Sequence, residues 1–114
     1  MSSPHDITLQ QAITMTQTFR NNKEQILQPQ FQGKNILVIC ESFSRDIFDE
    51  ILSVPGCAGV RIYFGMNEDL TVRAVMVATD ANSADILPAT GGVIGEVGLP
   101  CPPICPPPSA LNGF

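Results

Sequence analysis

The sequence predicts an α+β fold: two helices packed on a small, mainly antiparallel sheet, with an extended proline-rich C-terminal tail. Three observations predict it. An apolar stripe at helical spacing begins just after Thr8; an alternating run at 60–64 returns as an apolar stretch at 72–79; and six of the nine residues from Pro100 to Pro108 are proline. The 114 residues suit one domain, expected over 1–98, with a tail at 99–114 packed on that domain or on a partner.

The first element is a helix over about 8–20, extendable to 28. Thr8 and Gln11 have capping-box spacing, so the hydroxyl can accept from an orphan N–H while the amide side chain reaches back. Leu9, Ala12, Ile13, Thr16 and Phe19 share one face, and Pro29 forbids continuation. Gly33-Lys34-Asn35 reads as a turn, and Ile36 to Cys40 as a short buried strand. A second helix starts at Ser44. Phe43 and Phe48 are spaced as a hydrophobic staple, Ile47, Phe48, Ile51 and Leu52 form the inner stripe, and Pro55-Gly56 stops it.

A β-hairpin follows. Val60, Ile62 and Phe64 alternate with Arg61 and Tyr63, the turn lies near Met66–Asp69, and Val72 to Thr79 returns. The returning strand is apolar on both faces, which places it centrally in the sheet. Beyond Asp80 the residues are those of loops, and the prolines bias the tail to polyproline II.

The net charge of −5 is uneven: residues 40–114 carry three Arg against nine acids. That balance repels phosphate backbones, so nucleic acid is excluded as a partner, and no basic cluster suits an anionic membrane. No apolar stretch approaches a membrane span, and the N-terminus has no basic segment followed by an apolar run. A cytoplasmic location is therefore expected, where thiols stay reduced.

Catalytic signatures are weak. The single histidine, His5, stands beside Pro4 in the N-terminal arm, and Asp46, Asp49 and Glu50 read as the wet face of a helix. Cys40, Cys57, Cys101 and Cys105 number enough for one zinc or two disulfides, but only Cys101 and Cys105 are spaced as a pair, with prolines between them. The plain reading is Cys40 in the core, Cys57 in a loop and two tail thiols; a tail disulfide and a metal site are the alternatives. Arg61 and Arg73 sit on the two hairpin strands beside Tyr63. If they face each other, an anionic ligand between them relieves the repulsion; otherwise acids of the helices pair with them.

Ala89-Thr90-Gly91-Gly92 before a Cys/Ser/Pro-rich end is similar to the double-glycine junction of bacterial peptide precursors, with cleavage after Gly92. The segment Pro55-Gly56-Cys57-Ala58-Gly59-Val60-Arg61-Ile62-Tyr63-Phe64-Gly65, with the Val72–Asp80 strand and the Gly98–Pro103 stretch, resembles a group of small, uncharacterised bacterial proteins. These share a PGC-x-G-x-R-x-Y pattern and a Pro/Cys tail. The resemblance covers about residues 40–105; it implies a bacterial origin, and it carries over no activity or site residues. The expected function is thus a small soluble binding module without cofactor. Its partner would be a protein engaging the proline tail or a sheet edge, or a second copy of the chain. A peptide precursor or a thiol-based metal or redox protein are the alternatives.

Overall fold

The computed structural model describes residues 3–114. Among them, the chain folds as α+β: α1 (Leu9–Asn22), β1 (Cys40–Ser42), α2 (Arg45–Leu52), β2 (Gly59–Met66), β3 (Val72–Thr79), β4 (Ile94–Gly95) and β5 (Leu99–Cys101). Short 3₁₀ turns lie at Pro29–Phe31 and Pro88–Thr90. β2, β3 and β4 form an antiparallel sheet in that order, and β1 and β5 form a two-stranded one. No helix among the described residues is long and apolar enough to cross a membrane.

The chain divides into two compact units. Among the described residues, one holds residues 3–40 with Pro100–Phe114, the other Glu41–Leu99. The proline-rich segment therefore groups with the N-terminal helix.

In the first unit, the capping box forms as the spacing predicts. The Gln11 N–H donates to Thr8 Oγ1 at 3.0 Å, and the Thr8 N–H donates to Gln11 Oε1 at 2.8 Å. The helix ends at Asn22, short of Pro29, and none of its residues is buried; Leu9 and Phe19 are exposed where an inner face was expected. Ile36 is buried, but Ile36–Ile39 are irregular and the strand begins only at Cys40. The ladder stops there for a physical reason: the Ile39 N–H still reaches the Cys101 carbonyl, but the chain beyond Cys101 turns through Pro102 and Pro103, which have no N–H to extend it. One bond ties the tail to α1, and others fold it on itself. Arg20 Nη1 donates to the Leu111 carbonyl at 2.6 Å, and the buried Asn112 side chain donates to the Pro107 carbonyl and accepts from the N–H groups of Ser109 and Phe114.

The second unit carries the larger core, with Ile51, Val54, Met76, Ala78 and Ile86 buried together and Phe43, Ile47, Cys57 and Val93 packed on them. The Phe43 and Phe48 rings meet edge to face, centroids 6.4 Å apart, as the staple spacing predicts. Only Ile51 of the expected inner stripe is fully buried; Ile47 is half-buried, and Phe48 and Leu52 are exposed. Ser44 stands at the N-cap, although its side chain makes no capping hydrogen bond. α2 closes on β4 at Gly95, where a Cβ would lie 2.5 Å from Ile47 Cγ1. β3 is central and its last four residues are buried, as its two-sided apolar character predicts.

Truncating Ile51 to alanine removes the side chain at the centre of this core. The expected loss is about 2–5 kcal/mol of unfolding free energy, measured by urea denaturation. A loss below about 1 kcal/mol would place the core elsewhere.

Candidate functional site

The β2–β3 register fixes which side chains share a face. Gly59 stands opposite Thr79, Arg61 opposite Val77, Tyr63 opposite Val75 and Gly65 opposite Arg73. Arg61 and Arg73 therefore lie on one face but do not oppose each other; the four-residue offset separates them by roughly 13 Å along the strands. The expected facing pair, with an anion between, does not form. The sequence leaves register open, and the five-residue 67–71 turn sets it.

Arg61 and Tyr63 converge instead on Asp85, which the sequence analysis did not single out. Asp85 pairs with Thr79 on the side of β3 away from β2. Its carboxylate accepts from Arg61 Nη1 at 2.5 Å and from the Tyr63 hydroxyl, so both bonds pass over β3. Arg61 Nη2 also donates to the Ser83 carbonyl and hydroxyl, at 3.0 and 2.8 Å. Asp85 reaches this place because Asp80 folds the chain back: its Oδ1 accepts from the N–H groups of Asn82 and Ala84. Arg61 is thus paired with a loop acid, not a helix acid. Arg73 donates to its neighbour's carbonyl, at Val72, and lies near Asp69, whose carboxyl is held low chiefly by hydrogen bonds from Thr71.

The cluster shifts each of its members. The Tyr63 hydroxyl bond, and then Arg61, hold the Asp85 carboxyl below its ordinary range. The bond to Asp85 raises the Tyr63 phenol and the Arg61 guanidinium. A depressed carboxyl contributes stability above its unfolded value of about 3.9, lost as pH falls through the lower folded value. A raised phenol contributes below about 10, lost as pH rises through the higher folded value.

The other face and the free side of β2 are of a different kind. The Asn67 N–H donates to the Thr71 carbonyl in continuation of the ladder, and the Ala78 carbonyl accepts from Ile86 on the far side of β3. Both bonds set the same parity: Arg61, Tyr63 and Gly65 direct their backbone groups to β3, while Val60, Ile62, Phe64 and Met66 direct theirs outward. These four also carry apolar side chains in solvent, from Val60 at 37% to Phe64 at 84% exposed. The opposite edge of the sheet is closed. Ile94 and Gly95 pair with Val77 and Met76, Ile86 takes the Ala78 carbonyl, and Glu41 Oε1 accepts from the Ala74 N–H at 3.0 Å.

Cys101 and Cys105 are joined by a disulfide, which replaces the plain reading of two tail thiols. Cys40 and Cys57 are free and half-buried, one in each unit. Among the described residues, no three His, Cys, Asp or Glu side chains cluster as metal ligands would. Gly91 adopts φ +94° at the end of a 3₁₀ turn, and a Cβ at Gly92 would run into the Ile86 carbonyl, so this glycine pair serves the fold locally. Comparison with protein-family models, with curated proteins and with solved structures finds no match.

Tyr63 is the only tyrosine and the chain has no tryptophan, so absorbance near 295 nm reads this phenol alone. Its titration midpoint is expected above the ordinary value of about 10 and is expected to move down in Asp85→Asn. An unchanged midpoint in that variant would show that the pair is not formed in solution.

Proposed function

We propose that this chain is a small binding module acting through the β2 edge of its second unit, and not an enzyme. One observation carries the reading: four consecutive outward-facing positions of an edge strand combine free backbone groups with exposed apolar side chains. Exposed apolar patches of this kind mark interaction sites, and a free edge can recruit a further strand through main-chain bonds. The half-exposed Arg61–Tyr63–Asp85 cluster supports this role by holding the strand's one charge against an acid of the same chain, leaving the edge without a charge to repel a partner.

The alternatives have less support. Cleavage after Gly92 would strip β4 and Val93 from the second unit, although both belong to its sheet and core. A thiol-based metal site finds no cluster of three His, Cys, Asp or Glu side chains among the described residues to build on. Arg20 ties the proline tail to α1 and Asn112 folds its end on itself, which favours a packed strap over a free ligand for an aromatic groove. A cytoplasmic location would keep Cys101 and Cys105 as thiols, so the bonded pair supports an oxidising one. The intact mass of the native protein, two hydrogens lighter without reductant, is the expected sign of that location; a fully reduced chain would return it to the cytoplasm.

The binding reading is tested in cells by placing a photo-crosslinking phenylalanine analogue at Phe64, with Asp49 on the wet face of α2 as control. A discrete adduct at position 64 only, lost when Ile62 is changed to Lys, is expected. No adduct, or equal adducts at both positions, would overturn it.

A further inference from the structure

The occupant of the β2 edge can be named from the strand's own pattern. We infer that it is a second copy of this chain, pairing β2 with β2 antiparallel about a two-fold axis at Tyr63. The inference rests on the binding reading above and adds the partner.

Only one register pairs all four outward-facing residues with one another. It sets Val60 against Met66, Ile62 against Phe64, and Tyr63 against itself. Outward backbone groups then meet outward backbone groups, as an antiparallel ladder requires. On one face the exposed side chains of Val60, Ile62, Phe64 and Met66 form an apolar cross-strand ladder. On the other face, the only charge of the strand, Arg61, falls opposite Gly65 and never opposite its own copy. That arginine already holds Asp85, so two copies meet without like charges in contact. Shifting the axis by one residue toward Arg61 sets Met66 against Ala58 and leaves the apolar set incomplete.

β2 also lacks the devices that usually protect an edge. It has no proline and no lysine; its eight residues exceed a typical strand; and its irregularity lies only at the start, where the Ala58 N–H donates to the Thr79 carbonyl. The four residues present on the order of 400 Å² of apolar surface. Two such surfaces reach roughly 800 Å², below the roughly 1,200 Å² of standard interfaces and in the range of weak, transient association. The expected product is a six-stranded sheet shared by two chains, held by a weak, concentration-dependent association.

Sedimentation velocity of the full chain tests this directly. The mass is expected to rise from 12.3 kDa toward twice that value as concentration approaches roughly 100 µM. Phe64→Lys, which alters a side chain already in solvent, is expected to stay monomeric with an unchanged circular dichroism spectrum. Register is read by cysteine trapping in a background lacking Cys40 and Cys57: Tyr63→Cys is expected to form a covalent dimer, and Val60→Cys, six residues or roughly 20 Å from its copy, is not. A wild-type chain that stays monomeric would overturn the inference, as would a dimer indifferent to Phe64→Lys or equal trapping at both positions. Should the chain stay monomeric while the analogue at Phe64 captures a different protein, the second copy is refuted and the binding module stands; should it capture nothing, both fail.

Discussion

The eight-residue ladder between β2 and β3 is the constraint on which the second unit depends. Once Gly59 is set opposite Thr79, every other pairing follows, because side chains alternate with a period of two and a slip of one residue would turn each strand over. The register sends Met76 and Ala78 under Ile51 and into the core. It sends Arg61 and Tyr63 to the other face, beside the loop that carries Asp85. The apolar core and the polar cluster are two faces of one pairing decision.

The same ladder explains why the two edges of the sheet differ. Beyond β3 the chain supplies several caps in succession: the 80–86 turn, β4, and the Glu41 carboxylate on the Ala74 N–H. Beyond β2, among the described residues, it supplies none, and the outward groups coincide with the exposed apolar side chains. Backbone parity and side-chain exposure coincide here because α2 centres its buried residue, Ile51, over Met76 and Ala78 and leaves Ile62 and Phe64 largely in solvent. Asp85 then removes the remaining obstacle by neutralising Arg61. A strand whose only charge is satisfied from within its own chain presents a nearly neutral edge in a chain of net charge −5.

Much of this was legible in the sequence, where local chemistry decides. The Thr8–Gln11 capping box, the Phe43–Phe48 staple and the hairpin depend on neighbours close in sequence, and each forms as read; the central position of β3 was legible from its two-sided apolar character. What failed to appear depended on distant partners. The apolar run at 36–40 suggested a strand there, but a ladder needs donors on its partner, and past Cys101 the partner turns through Pro102 and Pro103, which supply none. Leu52 fits the helical stripe yet lies in solvent. The Arg61–Asp85 pair spans 24 residues and exists only because the 80–86 turn sets Asp85 beside Thr79; Asp80-x-Asn82-Ser83 hinted at that turn, but not at its register. The tail bond between Cys101 and Cys105 was one of several open pairings, and spacing alone could not choose it.

Residue-resolved amide exchange on dilute protein, where self-association is absent, tests the ladder parity most directly. Arg61, Tyr63 and Gly65 should exchange slowly, their N–H groups held by β3, while Ile62, Phe64 and Met66 between them exchange quickly. Uniform protection along β2 would mean that the edge is already covered. The reverse alternation would set the apolar side chains on residues whose backbone is already bonded, and the open edge would not exist.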